Sequence, residues 1–228
     1  MKMKRSEKLG MFTGLVVGVL LLLISVFMIF QTTCKVWGAE KPANATQQGI
    51  DVSSHQGKID WEQVKNSALA DYAIIRCGYG VNQTDKDDKY WDYNSSECER
   101  LGIPYGTYLY SGADTTAKAK SEAEHVVRLL QGKNLTYPIY YDMEADMLNQ
   151  LSSTQIGNIA KTFLNTMESY GYKNVAVYSN KYLFETKLTA SVFSDYPKWI
   201  AQHSNKCTYR GSYHMWQYST QGVIPGIS

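Results

Sequence analysis

From Gly49 onward, short runs of apolar and aromatic residues alternate with longer segments in which apolar positions recur every three or four residues. The short runs have the length and composition of buried strands, whereas the longer segments have the period of amphipathic helices. This alternation is typical of an α/β fold with a parallel sheet, most economically a modified β/α barrel of the TIM-barrel type. We predict seven strands, within the segments GIDVSS, YAIIRCGYG, IPYGTYLYS, YPIYYDME, NVAVYSN, PKWIAQ and YHMWQYS.

The predicted helices carry end signals of their own. Asp60, followed three residues later by Gln63, has the capping-box pattern that begins a helix. Gly102 is placed to end the next helix. The clearest helix lies in residues 152–171, where apolar residues share one face and Gly171 follows the last turn.

The number of predicted strands is one short of a closed barrel. Barrels of this type close with eight strands, and the pattern provides seven before Ser228. We therefore expect a barrel that lacks its last strand and has unpaired edges on its first and seventh strands. Natural sheets usually avoid such exposed edges.

The N-terminal segment differs from the rest of the chain. Residues 11–30 are uncharged and long enough to cross a bilayer as a helix. Basic residues precede this span, which places the first ten residues in the cytoplasm and everything after Gln31 outside. We expect a transmembrane anchor at 11–30, a polar linker at 31–48 and an extracytoplasmic domain at 49–228. The alternative is a cleaved signal peptide and a secreted domain.

Charge argues against one class of function. Residues 1–38 carry five basic residues and one acidic residue, so the remainder of this chain of formal net charge +2 is net negative. Since no basic stripe is present, we expect no nucleic-acid partner. The 18 tyrosines and 5 tryptophans suit sugar faces, although such rings also fill cores. We expect a monomer.

The cysteines and histidines do not have the spacing of a metal site. Four cysteines occur with no C-x-x-C pair, and the four histidines form no pair at ligand spacing. We therefore expect no metal and no cofactor. Cys77 and Cys98 leave two alternatives open, a disulfide between a strand and the following helix or two single buried thiols.

The segment YPIYYDMEAD ends a predicted buried strand with acidic residues at alternate positions. Side chains on a strand alternate between faces, so Asp142 and Glu144 point the same way, roughly 6 to 7 Å apart along the chain. Paired carboxyl groups have pKa values that are pushed apart, which is how an acid/base site is built. The alternative is an edge strand that runs into a solvated acidic turn, to which Asp146 is assigned.

Other polar residues end the predicted strands. Active sites of β/α barrels lie at the C-terminal ends of the strands, so we take these residues as candidates for one rim. Glu122, Glu124 and Glu168 are instead interpreted as solvated positions on helix surfaces. Trp199 and Trp216 are either core residues or platforms for a ligand. The remaining rim candidates are Asp51, Tyr110, Tyr178, Gln202, Gln217 and Tyr218.

Four motifs, GIDVSSHQGKIDW, YYDME, WIAQ and MWQYS, together resemble the family 25 glycoside hydrolases, the lysozyme-like N-acetylmuramidases. The resemblance runs from about Gly49 to the C-terminus. It implies a modified β/α barrel that cleaves the β-1,4 bond between N-acetylmuramic acid and N-acetylglucosamine in peptidoglycan. It also implies Glu144 as the catalytic acid/base, Asp142 as its partner and Asp51 as the acidic residue of the first strand.

The chain departs from the family pattern at its end. Family members usually continue, shortly after a segment like PGIS, into a further strand that carries an aspartate in a V-D-x-N-like motif, and this sequence stops first.

For the substrate we expect contacts from six side chains of the rim, namely Tyr110, Tyr178, Trp199, Gln202, Trp216 and Gln217.

Two other functions remain open from the sequence. A chitinase-like enzyme that acts on another acetamido sugar would need the same acid pair. A non-catalytic wall-binding module would keep the aromatic residues and need no acid pair. The partners that we expect are therefore peptidoglycan glycan strands and, through the N-terminal helix, the membrane.

Overall fold

The computed structural model describes Pro42 and residues 44–227 of the chain. The predicted anchor at 11–30 and the first part of the predicted linker lie outside the described residues. Within the described part, no helix has both the length and the apolar character needed to cross a membrane.

Seven parallel strands form a single sheet, and their order in space is their order along the chain. The predicted α/β alternation and all seven predicted strands are therefore confirmed. The strands are β1 (Gly49–Val52), β2 (Tyr72–Tyr79), β3 (Tyr105–Tyr110), β4 (Ile139–Asp142), β5 (Val175–Asn180), β6 (Lys198–Ala201) and β7 (Met215–Gln217).

Side chains, rather than a backbone ladder, connect the two edge strands within the described residues. Gln217 on β7 donates to Asp51 on β1 (Nε2 to Oδ1, 3.0 Å). Just outside the same two strands, Gln48 donates to the Tyr218 hydroxyl (2.7 Å). The sheet is therefore curled enough for its edges to touch, and it forms an open barrel of seven strands.

Six α-helices follow or connect the strands of the described chain. The predicted cap at Asp60 is present, because its carboxylate accepts from the backbone N–H of Gln63. Ser152 and Gln155 form a capping box at the start of another helix. Gly102 ends the second helix in the left-handed conformation, with a φ of 65°. The helices are α1 (Trp61–Ser67), α2 (Trp91–Leu101), α3 (Thr116–Leu129), α4 (Ser153–Ser169), α5 (Lys181–Thr186) and α6 (Val192–Asp195).

The two faces of the sheet are buried in different ways. The inner face holds a cluster of aromatic and small residues, made of Tyr72, Ile74, Tyr140, Ala176, Tyr178, Trp199 and Ala201. On the outer face, Tyr141 stacks on Phe163 of α4, with ring centroids 3.8 Å apart. The central strands contain few polar residues because both of their faces are buried, as expected for a parallel sheet.

The two cysteines of the domain core are single thiols. Cys77 and Cys98 are both buried and free, so the disulfide alternative is wrong. Burial raises the pKa of the Cys77 thiol to about 12, which keeps it protonated and unreactive.

The segment after β7 packs back on the start of α1. Ile224 is buried, and the carbonyl of Gly226 accepts from the backbone N–H of Asp60 (2.9 Å). Gly226 has a φ of 94°, and a Cβ there would lie 2.3 Å from the carbonyl oxygen of Asp60. Only glycine fits this approach.

Candidate active site

The C-terminal ends of the strands bring three carboxyl groups to the inside of the barrel. Asp142 ends β4 and lies between Tyr110 of β3 and Tyr178 of β5 in the strand register. Asp51 on β1 and Glu144, two residues beyond the end of β4, each influence the pKa of Asp142. The predicted convergence of these acidic residues on one rim therefore matches their placement in the structure.

Asp142 is the most deeply placed of the three. Its residue is 3% exposed, and its Oδ1 atom has no hydrogen-bond partner in the described part of the chain. Burial, and then the charges of Glu144 and Asp51, raise the pKa of Asp142 well above its usual range, while Arg76 acts in the opposite direction. A buried carboxylate oxygen without a donor is unfavourable and is an acceptor ready for a ligand.

Glu144 lies closer to solvent. It is half-buried, and burial is the main reason why its pKa is raised. Electrostatic interaction with His203 lowers the pKa of Glu144, and the interaction with Asp51 raises it. A half-buried carboxyl group with a raised pKa can both reach a substrate and hold a proton near neutral pH.

Asp51 is held by a network of side chains around Gln217. The Gln217 amide nitrogen donates to Asp51, as described above, so the amide oxygen faces the other way. That oxygen accepts from the hydroxyl of Tyr178 (2.9 Å) and lies 2.9 Å from Nε2 of His203. Because the amide oxygen can only accept, His203 must carry a proton on Nε2. Burial raises the pKa of Asp51, and the bond from Gln217 opposes this.

Sequence reasoning missed Arg76, whose positive charge lowers the pKa of Asp142. Its guanidinium is fixed by the buried carboxylate of Asp88 (2.8 Å) and by the hydroxyl of Ser54 (2.9 Å). Asp88 in turn accepts from the backbone N–H of Ser54. The signal was present in β2, since Arg76 is two residues from Ile74 and therefore shares its inner face.

Tyr108 was missed for the same reason. It pairs with Arg76 in the register of β2 and β3 and packs against the inner cluster. Two residues later, Tyr110 is 36% exposed at the rim. A bulge between Arg76 and Gly78 shifts the register, so that the exposed Tyr79 is the partner of Tyr110.

Trp199 lies below the acidic residues as part of the core. It is 3% exposed, and its ring lies 4.4 Å from that of Tyr178 and 5.0 Å from that of Tyr140. The ring therefore has no free face for a sugar. Of the two alternatives that the sequence left open for Trp199, a core residue or a platform for a ligand, its placement is that of a core residue, with neighbouring aromatic rings on its surface.

Gln202 and Trp216 are also used within the protein. The Gln202 side chain both accepts from and donates to Thr208 (2.9 and 3.0 Å), which ties down the loop after β6. Trp216 donates from its indole nitrogen to the carbonyl of Gln202 (2.8 Å). The side-chain polar groups of Gln202 and Trp216 therefore pair with the loop after β6 and with the end of β6, respectively, rather than with the acidic cluster.

Glu122 is not on a solvated helix face. Its residue is fully buried, and its carboxylate accepts hydrogen bonds from three donors. The interpretation as a surface position overlooked the helical stripe that Glu122 shares with Ala119, Ala123 and Val126, all of them buried.

Within the described residues, no three carboxylate, imidazole or thiolate groups converge closely enough to hold a metal ion. The three carboxyl groups of the pocket nevertheless influence one another electrostatically, since Asp51 and Glu144 raise the pKa of Asp142 and Asp51 raises that of Glu144.

Known proteins are similar to this chain in sequence and in fold. The family model described as "Glycosyl hydrolases family 25" matches residues 50–227. The autolytic lysozyme of Clostridium acetobutylicum is 30% identical over 182 residues, which cover 79% of this chain and 53% of that protein.

Solved structures give the same result. The modular autolysin LytC from Streptococcus pneumoniae superposes with a TM-score of 0.74 at 33% identity, over 82% of this chain and 46% of the other. LytC in complex with a synthetic peptidoglycan ligand gives a TM-score of 0.73 at 32% identity, over the same shares. The chain thus spans about half the length of these relatives.

Proposed function

The chain belongs to glycosyl hydrolase family 25, and we propose that it is a lysozyme-type hydrolase of peptidoglycan. The bond cleaved is the β-1,4 link between N-acetylmuramic acid and N-acetylglucosamine. Two similarities support this substrate, namely the autolytic lysozyme among the relatives and the peptidoglycan ligand of the LytC structure.

One observation carries the proposal. The Oδ1 atom of Asp142 is buried at the end of β4 without a donor, and the partly accessible Glu144 follows two residues later. Both sugars of peptidoglycan carry a 2-acetamido group, whose N–H is a donor of the kind that Asp142 lacks. A binding module would have no need of a buried, unpaired carboxylate, which is costly to maintain.

In the first step, Glu144 acts as general acid. Its raised pKa lets it hold the proton that passes to the leaving glycosidic oxygen as the bond to the anomeric carbon breaks. Asp142 accepts from the acetamido N–H and turns the acetamido oxygen toward the anomeric carbon, where it bonds and forms a cyclic intermediate. Direct stabilisation of the oxocarbenium-like centre by Asp142 is the alternative role.

In the second step, the ionised Glu144 acts as general base. It takes a proton from a water molecule, whose oxygen attacks the anomeric carbon and releases the acetamido oxygen. Glu144 thereby regains its proton. Asp51, held by Gln217, adds negative charge that favours the positively charged centre in both steps.

We assign the remaining sugar contacts from the exposure and the hydrogen-bond partners of each side chain. Tyr110 is exposed at the rim beside Asp142, and we assign it a direct contact with the glycan. Gln217 contacts Asp51, and Tyr178 contacts Gln217. We therefore assign both residues to the sugar at the cleaved bond. Trp199, as a buried support, acts only by fixing the ring of Tyr178.

The test is digestion of purified peptidoglycan followed by chemical reduction of the new ends. Reduced muramic acid is the expected product, whereas reduced glucosamine would indicate a glucosaminidase. Glu144→Gln should lower the rate by about a thousandfold, because general acid catalysis contributes about 10² to 10⁴. Asp146→Asn, a change of an exposed acidic residue two positions away, is the matched control. Undiminished lysis by folded Glu144→Gln protein would rule out the assignment.

We also propose that the domain works outside the cytoplasm, anchored by residues 11–30. The support is the uncharged span behind basic residues. The full chain should fractionate with membranes, and external protease should degrade its domain. A mature N-terminus at Ala39 would instead indicate a cleaved signal peptide.

A further inference from the structure

Behind the pocket, on the outer face of the sheet, lies a second buried carboxylate. Glu122, in the middle of α3, accepts from the hydroxyl of Tyr141 (2.6 Å) and from that of Ser111 (2.9 Å) on one oxygen. Its other oxygen accepts from the backbone N–H of Gly112 (2.7 Å). Three donors around two oxygens suit an ionised carboxylate, which can only accept.

Two of these donors, Tyr141 and Ser111, are connected to Asp142. Tyr141 is its neighbour in the chain, on the opposite face of β4. Ser111 donates its backbone N–H to the carbonyl of Asp142 (2.9 Å). Glu122 therefore fixes both the residue before Asp142 and the strand end beside it.

The surroundings leave this network little freedom. Tyr141 is stacked on Phe163, with ring planes 9° apart, and Ser111 is buried. The Ser111 hydroxyl also lies 2.9 Å from that of Tyr141, so the three oxygens form a closed triangle. Charge-assisted hydrogen bonds of this kind are stronger than those between neutral groups.

We propose that Glu122 is a positioning residue that places the Asp142 carboxylate for the reaction. The proposal rests on the proposed function insofar as Asp142 has to be placed for a substrate. A misplacement of about 1 Å at a reacting group can cost about a hundredfold in rate, so a rigid support behind Asp142 has a direct chemical consequence.

Two variants loosen the network without removing its volume. Tyr141→Phe deletes one donor and keeps the stacked ring, and Glu122→Gln keeps the shape but loses the charge. We expect both to lower kcat by about tenfold with little change in KM. The matched control is Glu124→Gln on the same helix, where the side chain is 37% exposed and lies 3.9 Å from Lys120. This control should retain wild-type kinetics.

A second measurement does not depend on activity. The Asp142 carboxyl group can be titrated by carbon NMR, with Asp142→Asn identifying the signal. Tyr141→Phe conserves charge, so a shift of about half a pH unit in the midpoint, absent in Glu124→Gln, would report a displaced carboxylate. Such a shift in a protein that does not cleave peptidoglycan would overturn the proposed function and leave the positioning role standing. Unchanged midpoints and unchanged kcat in both folded variants would overturn the positioning role alone.

Discussion

Asp142 and Glu122 are both buried carboxyl groups on the β3–β4 side of the barrel, yet their surroundings are opposite. Glu122 has three hydrogen-bond donors on the outer face of the sheet, whereas Oδ1 of Asp142 has none within the described residues. Burial raises both pKa values, and for Glu122 the three bonds and His125 counteract the rise. For Asp142 two further carboxyl groups add to it.

The hydrogen-bond donors around a buried carboxylate indicate what the carboxylate does. A carboxylate that serves the structure is supplied with donors, because an unpaired buried acceptor costs free energy. A carboxylate that serves a reaction is left without them, so that the substrate supplies the missing donor. Burial alone therefore does not distinguish a structural carboxylate from a reactive one, but the hydrogen-bond donors around it do.

Of these two carboxyl groups, Asp142 should have the greater effect on activity when its charge is removed. Asp142→Asn should lower peptidoglycan hydrolysis by about a hundredfold or more, because a neutral amide oxygen accepts from the acetamido N–H more weakly than a carboxylate does. At pH 7 the same change should raise the free energy of unfolding by about 1 kcal/mol, since it removes a buried like charge. Lysis assays and thermal melts measure the two effects. A variant that loses stability together with activity would show that Asp142 is a structural residue.

Removing the carboxylate of Glu122, which has three donors, should change the free energy of unfolding in the opposite direction. Glu122→Ala leaves those donors unpaired in the core and should lower the free energy of unfolding by about 3 kcal/mol. Urea denaturation at pH 7 measures it, with Glu124→Ala as the exposed control on the same helix. A loss below about 0.5 kcal/mol would contradict the view that Glu122 organises this part of the fold.

The contrast also shows how far the sequence can be interpreted. The strand positions, the cap at Asp60 and the acidic residues at 142 and 144 depend on neighbours in the chain, so local periodicity and spacing predicted them. Glu122 was misinterpreted because its donors come from β3 and β4, and only tertiary packing brings them to α3.

The hydrogen-bond partners at the rim were also beyond local patterns. Gln202 follows β6 as expected, but the loop after β6 folds back and pairs with its side chain, and Trp216 donates to its carbonyl. The bulge between Arg76 and Gly78 shifts the strand register, so that Tyr79 pairs with Tyr110. The periodicity of the sequence does not predict such a bulge. Alternation predicts which face a side chain occupies, whereas the partners on that face come from distant segments.

A third prediction concerns pH. The folded-state pKa values of Asp142, Glu144 and Asp51 are raised above the ordinary values, so the folded state binds protons more tightly than the unfolded state. These groups therefore stabilise the fold below about pH 4, and that contribution is lost as the pH rises through the ordinary carboxyl range toward the folded pKa values.

Denaturation curves between pH 4 and 7 check the sign. The difference in stability between Asp142→Asn and the wild type should be near zero at about pH 4 and should grow in favour of the variant toward pH 7. Glu124→Gln should show no such trend. A difference that is constant across this range would mean that Asp142 titrates as it does in the unfolded chain.

The smallest effect is expected where an amide already pairs one of the carboxyl groups. Gln217→Met keeps the length of the side chain but removes the donor to Asp51 and the acceptor for Tyr178 and His203. Without the bond that lowers it, the pKa of Asp51 should rise further. The acidic limb of the pH–rate profile should then move upward, and the rate at pH 7 should fall by about tenfold. The same substitution at the exposed Gln221 controls for the change of residue type. A lower rate with an unmoved acidic limb would show that Gln217 contacts the glycan without tuning Asp51.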